Sequence, residues 1–206
     1  MSVIIGLTGQ SGAGKTTICE QLKAAGFGII NCDEVARKCT ADGSDCNKEL
    51  AQVFPSCFDK NLSLDRKGIS QIIFSDAQKL KQFNSIVYPY INRLIDDNIN
   101  ELSGTYDYIV LDAPTLFEAG ADKKCDAIIG VSAKKEIRLE RIIKRDNISR
   151  ELALKRFNSQ LSSKFFAQHC DYIIQNDSSR DNTEKQTEII IKKIKERTYG
   201  SKEKKT

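Results

Sequence analysis

A glycine-rich stretch near the start of the chain has the residue types and spacing of a phosphate-binding site. Residues 9–16, here called the phosphate loop, match G-x-x-x-x-G-K-[ST]. The glycines of this stretch lack a Cβ atom, so backbone N–H groups can close around phosphate oxygens. In such a loop Lys15 reaches the β- and γ-phosphates of a nucleoside triphosphate, and the Thr16 hydroxyl binds Mg²⁺.

Three acidic residues have positions suited to acceptor or metal chemistry. Asp33, Asp112 and Glu118 come at or just beyond the ends of predicted strands, where functional groups of open α/β sheets lie. Asp33 either orients and deprotonates an acceptor hydroxyl or caps the helix that follows it. Asp112 either holds Mg²⁺, directly or through water, or ends its strand in a turn.

Three arginines follow the fourth predicted strand. Arg138, Arg141 and Arg145 occur at i, i+3 and i+7, which places them on one helical face. Acidic neighbours would make this a solvated, salt-bridged helix. The alternative is a lid whose guanidinium groups close over a triphosphate and neutralise charge in the transition state. The position after the fourth strand favours the lid.

These side chains require a sheet to position them. Short apolar segments predict five strands, at residues 3–8, 27–31, 106–111, 126–131 and 171–174. The first strand leads directly into the phosphate loop, and a helix follows the loop. Strands that alternate with helices predict a parallel sheet covered on both faces, which is a three-layer α/β/α fold.

The longer segments between strands are predicted to be helical. From residue 34 to about 102 the helical pattern is broken at Gly43, at residues 55–61 and at residues 88–89. Within it, residues 38–103 have the place of a substrate-binding insertion, and the lid occupies about 134–168. A final helix over 183–197 has Ile189, Ile190 and Ile194 on its apolar side. Residues 1–200 are expected to form one domain, and residues 201–206 a basic, flexible tail.

Composition limits the classes of protein to which the chain can belong. Its 206 residues, 40% of them hydrophobic, suit one globular domain. No apolar run approaches the roughly 20 residues that span a bilayer, and no secretory signal is recognisable. The seven cysteines form no C-x-x-C pair, which favours reduced thiols in the cytoplasm. A net charge of +4 with only a basic tail argues against nucleic-acid binding. We expect a small-molecule substrate, no membrane partner, and a monomer or weak homo-oligomer.

Several segments together resemble the dephospho-CoA kinase family. They run in register from about residue 4 to 176 and comprise residues 6–17, 30–33, 64–66, 74–76, 83–89 and 111–118, then Arg141, residues 145–146, Gln160 and residues 171–176. The phosphate loop is common to a whole superfamily, whereas the ordered set is more specific. The chain departs from the usual family residues at Asn31, Tyr88, Thr115 and Arg138.

The resemblance implies a P-loop kinase fold with a five-stranded parallel sheet, a helical substrate-binding insertion and a helical lid. It implies transfer of phosphate from ATP, with Mg²⁺, to the ribose 3′-hydroxyl of dephospho-CoA. The implied catalytic residues are Asp33, Lys15, Arg141 and Arg145. The implied nucleotide contacts are Gly9, Gly12, Ala13, Gly14, Lys15, Thr16, Thr17 and Asn176. The implied contacts with dephospho-CoA are Asp33, Arg66, Tyr88, Pro114, Leu116 and Glu118, and the implied metal ligands are Thr16 and Asp112. The alternatives are a kinase for a nucleoside or nucleoside monophosphate and a nucleotide-binding switch without turnover.

Overall fold

The computed structural model describes residues 2–158 and 160–203. Its contacts divide the chain into two compact units. The first unit comprises Met1–Ile29 and Leu102–Thr206, and the second comprises Ile30–Glu101. Among the described residues, no helix combines the length and the apolar character needed to cross a membrane.

The described residues contain a five-stranded parallel sheet and nine α-helices. The strands are β1 (Val3–Gly9), β2 (Gly28–Asn31), β3 (Tyr108–Asp112), β4 (Ala127–Ser132) and β5 (Tyr172–Gln175). The helices are α1 (Lys15–Ala24), α2 (Cys32–Cys39), α3 (Asp45–Val53), α4 (Arg66–Ser75), α5 (Ala77–Leu102), α6 (Lys135–Asp146), α7 (Arg150–Asn158), α8 (Ser163–His169) and α9 (Arg180–Glu203). All five predicted strands are confirmed, with bounds that move by one or two residues.

Strand β1 lies at the centre of the sheet, whose order is β2-β3-β1-β4-β5. It pairs in parallel with β3 on one side and with β4 on the other. Its residues from Ile4 onward are buried, which explains why the segment reads as a continuous apolar run. The phosphate loop therefore starts from a central strand that is held on both sides.

Helices α1 and α9 pack into the core of the first unit. Ile18 and Leu22 of α1 lie in one buried cluster with Ile190 and Ile194 of α9. The sequence-based prediction for Ile189 is wrong, because its side chain is exposed. The buried stripe of α9 instead continues through two threonines, Thr183 and Thr187, which keep the spacing of one helical face.

The last helix is longer than predicted. It begins at Arg180 and continues to Glu203, so residues 201–203 belong to a helix and not to a tail. Residues 204–206 of the predicted tail lie outside the described residues. The predicted lid segment is also divided, because three separate helices, α6 to α8, occupy it.

The second unit is helical and has its own buried side chains. Asn47 is fully buried and donates from Nδ2 to the carbonyl oxygens of Ala41 and Leu62 at 3.0 and 2.9 Å. These bonds tie α3 to the turns that flank it. The predicted break at residues 88–89 is wrong, because α5 runs through Pro89. The carbonyl that loses its donor there belongs to Ser85, an exposed residue at which water can replace the missing bond.

Candidate active site

The phosphate loop joins the carboxyl end of β1 to the first turn of α1. Gly12 and Gly14 have φ angles of 77° and 91°, in the left-handed region that disfavours side chains. A Cβ atom at Gly12 would lie 2.5 Å from the carbonyl oxygen of Arg138, and one at Gly14 would overlap Nδ2 of Asn176. The loop therefore needs glycine at both positions to hold this shape.

Several backbone N–H groups of the loop indicate an anion-binding site. The N–H of Ser11 donates to Oε1 of Gln160, and the N–H of Ala13 donates to the carbonyl of Gln10. Within the described parts of the chain, the N–H groups of residues 12 and 14–16 donate to no protein acceptor. The last of these belong to the first turn of α1, where the helix dipole adds positive potential. Loop and helix end together have the features of a phosphate site.

Lys15 and Asp112 form an ion pair beside the loop. Nζ of Lys15 donates to Oδ1 of Asp112. Asp112 is the last residue of β3, and the strand register places it opposite Leu7 of β1. The two side chains are only 17% and 14% exposed, so each compensates the charge of the other at a poorly solvated position. The structure thus brings together the cation predicted to bind phosphate and the carboxylate predicted to bind metal.

Cys19 is a third member of this group that the sequence analysis did not assign to the site. It lies one helical turn after Lys15 on α1, and the negative charge of Asp112 acts on its thiol. Burial, followed by the charge of Asp112, raises the pKa of the thiol to about 11. The thiol is therefore protonated at neutral pH. Its i, i+4 spacing from Lys15 is the signal that could have identified it.

Thr16 and Asp112 are the predicted ligands of Mg²⁺. Over residues 2–158 and 160–203, no group of three or more His, Cys, Asp or Glu side chains could hold a metal ion. Mg²⁺ commonly binds one or two protein oxygens and completes its shell with substrate phosphates and water. An exposed Thr16 in the first turn of α1 and a carboxylate at the end of β3 fit that kind of site.

Arg141 of α6 contacts the phosphate loop directly. Its Nη1 donates to the carbonyl oxygens of Gly12 and Ala13 at 3.2 and 3.3 Å. The carbonyl of Ala13 also accepts a hydrogen bond from Nδ2 of Asn176 at 2.8 Å. Ala13 is fully buried, and its N–H and carbonyl are both engaged within the protein. It therefore helps to shape the loop, and its contact with the nucleotide stays a prediction.

Arg145, the second predicted lid arginine, does not share these contacts. Its Nε and Nη2 donate to the two carboxylate oxygens of Asp146 at 2.7 and 3.0 Å. Asp146 also accepts from Arg156 of α7 at 2.6 Å. The side chain of Arg145 is 63% exposed, so solvent screens its charge in this ion pair.

A cavity of about 410 Å³ opens beside the loop. It is lined by Gly14, Thr17, Glu20, Arg141, Asn176, Ser178, Arg180 and Thr183. Asn176 follows β5, and both polar atoms of its side-chain amide are hydrogen-bonded. Nδ2 donates to the carbonyl of Ala13, and Oδ1 accepts from the Thr183 hydroxyl at 3.1 Å. The cavity therefore has a polar wall that is continuous with the phosphate loop.

The segment after β3 contains the predicted substrate contacts of the first unit. Pro114 is half-buried, and its carbonyl accepts from the Thr8 hydroxyl at 3.3 Å. Glu118 is exposed. Leu116 is fully buried, and a Cβ atom on Gly6 of β1 would lie 2.6 Å from its Cδ2. The prediction that Leu116 contacts substrate is therefore wrong, because this side chain packs against Gly6 in the protein core.

Asp33 lies in the first turn of α2, in the second unit. Asn31 is the cap of this helix, because its Oδ1 accepts from the N–H groups of Asp33 and Glu34 at 3.0 and 3.1 Å. The interpretation of Asp33 as the helix cap is therefore wrong. Its side chain is exposed, and among the described residues of this unit no hydrogen-bond donor or cation engages its carboxylate.

The other predicted contacts of the second unit lie elsewhere. Arg66 donates from Nη2 to the carbonyl oxygen of Thr40 at 3.2 Å, at the carboxyl end of α2. Asp33 occupies the opposite end of the same helix, about 10 Å away along its axis at 1.5 Å per residue. Tyr88 is half-buried within α5. The second unit therefore does not gather Asp33 and Arg66 at one point.

Comparison with known proteins identifies the family. The family model described as dephospho-CoA kinase matches residues 3–182. The chain belongs to the dephospho-CoA kinase family. The dephospho-CoA kinase of Fusobacterium nucleatum is 36% identical over 193 residues, with 93% of this chain and 98% of the relative covered. The corresponding enzyme of Carboxydothermus hydrogenoformans is 33% identical over 201 residues, with 97% and 98% covered.

Solved structures support the same assignment. The dephospho-CoA kinase of Campylobacter jejuni matches with a TM-score of 0.70 at 26% identity, covering 94% of this chain and 98% of its own. A crystal structure from Thermus thermophilus matches with a TM-score of 0.81, also at 26% identity, covering 93% and 97%. The shikimate kinase of Acinetobacter baumannii, at 15% identity and a TM-score of 0.53, shares the fold alone. The α/β kinase fold predicted from the sequence is thus confirmed.

The two predicted lid arginines are expected to differ in their effects. Arg141→Ala removes a guanidinium that contacts the loop, and we expect kcat to fall by about 10²-fold or more. Arg145→Ala should lower kcat while changing the melting temperature little, because its ion pair is exposed. Steady-state kinetics and thermal melts measure both effects. Arg156→Ala is the matched control, since Arg156 pairs with the same Asp146; an equal loss of kcat in this control would assign Arg145 to the ion pair alone.

Proposed function

We propose that this chain transfers the terminal phosphoryl group of ATP to the ribose 3′-hydroxyl of dephospho-CoA and thereby produces coenzyme A. The family match over residues 3–182 carries the proposal. Relatives named dephospho-CoA kinase match over nearly the full length of both chains. The phosphate loop, with its N–H groups and Lys15, supports the use of a nucleoside triphosphate.

The loop and the adjoining cavity are proposed to hold ATP. The N–H groups of residues 12 and 14–16 bind phosphate oxygens, and the ammonium of Lys15 neutralises charge on the β- and γ-phosphates. The cavity beside Gly14 and Asn176 takes the nucleoside part of ATP. Arg141 lines that cavity and contacts the loop, so its charge lies where the polyphosphate is expected.

Thr16 and Asp112 are the residues proposed to hold Mg²⁺. When bound, this ion neutralises phosphate charge and orients the transferred group. The thiol of Cys19 is close enough to Asp112 for the charge of the carboxylate to help raise its pKa, so it is a further neighbour of the proposed metal site.

Asp33 is the proposed base for the acceptor. Its carboxylate orients the 3′-hydroxyl and accepts its proton while the hydroxyl oxygen bonds to the γ-phosphorus and the bond to the β-phosphate oxygen breaks, which releases ADP. Two observations support this role: the carboxylate is exposed, and Asn31 rather than Asp33 caps α2. The resemblance of residues 30–33 to the acidic motif of the family supports it further.

Arg145 and the second unit complete the proposal. The guanidinium of Arg145 is exposed to solvent, and we propose that it leaves Asp146, which keeps Arg156 as a partner, when a triphosphate binds. Residues 38–103 are proposed to bind the acceptor, on the basis of their family-like segments at 64–66 and 83–89. Arg66, Tyr88, Pro114 and Glu118 are the proposed contacts that remain after the correction of Leu116.

The test is an acceptor assay that separates the three candidate functions. ATP and Mg²⁺ are supplied with dephospho-CoA, adenosine, uridine or AMP, and ADP release and the phosphorylated product are measured. We expect turnover with dephospho-CoA alone and no turnover when Mg²⁺ is chelated. A higher kcat/KM with adenosine, uridine or AMP would establish a kinase for another acceptor. ATP binding without turnover on any acceptor would establish a nucleotide-binding switch.

A further inference from the structure

Arg138 of α6 is a buried cation without an acidic partner. Only 1% of the residue is exposed, and it is the largest fully buried side chain of the described structure. Its Nε donates to the carbonyl of Ser11 at 3.0 Å, Nη1 donates to Oε1 of Gln10 at 2.6 Å, and Nη2 donates to Oε1 of Gln160 at 3.3 Å. Its guanidinium carbon lies 4.3 Å from the centroid of the Phe157 ring. All of these partners are neutral.

Such an arrangement is unfavourable for the fold considered by itself. A buried charge is ordinarily paired with an opposite charge, because neutral hydrogen bonds replace only part of its hydration. Burial lowers the pKa of Arg138 to about 10, so the guanidinium stays charged at neutral pH. Over the described residues, no carboxylate forms a salt bridge with it. The compensating negative charge must come from outside the protein or be missing.

The partners of Arg138 belong to the phosphate loop or are bonded to it. Gln160 accepts from the N–H of Ser11 at 3.0 Å and donates from Nε2 to the Ser11 hydroxyl at 2.6 Å. Nε of Arg138 donates to the carbonyl of Ser11. Ser11 is therefore fixed through its N–H, its carbonyl and its hydroxyl. Gln10 is fixed as well, because its Nε2 donates to the carbonyl of Leu161 at 2.7 Å.

We propose that Arg138 is a positioning residue of the phosphate loop and a fixed positive charge that the bound polyphosphate compensates. In a site of low dielectric, an oriented cation acts on phosphate groups over a longer range than it would in water. Its hydrogen bonds hold the loop in its binding shape before the ligand arrives, which lowers the ordering cost of binding. The inference rests on the proposed nucleotide site but not on the identity of the acceptor.

The proposal predicts an effect that grows with the number of phosphates. Arg138→Gln removes the charge but keeps hydrogen-bonding capacity, and it should weaken ATP binding by about 10- to 100-fold. The loss should be smaller for ADP and within about threefold for AMP. The melting temperature without ligand should stay the same or rise, because a buried unpaired charge is gone. Titration calorimetry and thermal melts of the full chain measure these quantities.

Two further variants complete the experiment. Gln160→Glu places a carboxylate next to Arg138 with almost no change in size. Because the buried charge of Arg138 then has a partner within the protein, the melting temperature without ligand should rise. The ratio of ATP to AMP affinity should fall, because the polyphosphate no longer compensates that charge. This variant also keeps the test decisive if Arg138→Gln fails to fold. Arg150→Gln removes the same charge from an exposed position at the start of α7, and all three affinities should stay within about threefold of wild type.

Equal losses for AMP, ADP and ATP in Arg138→Gln, or unchanged affinities, would overturn the proposal and leave Arg138 a purely structural residue. An unchanged ATP-to-AMP ratio in Gln160→Glu would overturn it as well. Failure of the acceptor assay with normal ATP binding would contradict only the proposed acceptor. Absence of ATP binding to the wild type would overturn both the nucleotide site and this inference.

Discussion

Lys15→Ala is expected to lower phosphoryl transfer by at least about 10²- to 10³-fold, to below detection in a routine assay. The variant removes the one lysine of the loop, which stabilises the negative charge of the transferred group in the transition state. Because this interaction strengthens as the reaction proceeds, kcat should fall along with kcat/KM. Release of ADP with dephospho-CoA as acceptor measures both constants.

The ion pair with Asp112 makes the control for this variant specific. Without Lys15, the carboxylate of Asp112 loses its cationic partner at a poorly solvated position, which should destabilise the fold by about 1–3 kcal/mol. The double variant Lys15→Ala/Asp112→Asn should recover that stability without recovering activity. Lys23→Ala, in the last turn of α1, should leave both unchanged. Activity in Lys15→Ala close to that of wild type would show that the loop does not bind the reacting phosphates.

The phosphate loop could be recognised from the sequence because its determinants are local. Its glycines satisfy backbone angles and close approaches within a few residues, and the strand before it and the helix after it are contiguous. The five strands were predictable for a similar reason, since buried parallel strands read as short apolar runs. The family resemblance depended on the order of such local segments.

Features that depend on long-range packing were not predictable in this way. Helical spacing put Arg138, Arg141 and Arg145 on one face, but it does not reveal which of them is buried. Burial of Arg138 depends on Gln10 and Gln160, which are far from it in the chain. The motif around Leu116 predicted a substrate contact. In the structure, the missing side chain of Gly6 leaves room for Leu116 to pack in the core.

The break predicted at Pro89 was also wrong because of packing, which here overrides a local signal. A proline removes one backbone hydrogen bond, which is a local cost. Buried side chains lie on both sides of Pro89 in the middle of α5, namely Val87, Ile91 and Ile95. Their burial outweighs the local preference to end the helix.

Asp33→Asn is expected to lower kcat with dephospho-CoA by about 10²- to 10⁴-fold, the usual effect of losing a general base. Asparagine keeps the size of the side chain but cannot accept the proton of the acceptor hydroxyl. Folding should be unaffected, because the cap of α2 is the side chain of Asn31. ATP binding should also survive, since the phosphate loop is unchanged. Kinetics, calorimetry with ATP and thermal melts measure the three quantities.

Glu34→Gln is the matched control for Asp33→Asn. It removes the same charge from the same first turn of α2, and Glu34 is exposed like Asp33. A general effect of charge at the helix end would lower kcat equally in the two variants, whereas a proton acceptor at residue 33 requires a large loss in Asp33→Asn alone. If Asp33→Asn retains kcat within about threefold of wild type, Asp33 is not the base. The proton acceptor would then have to be sought at Asp112 or Glu118, the other two carboxylates that follow the carboxyl ends of strands.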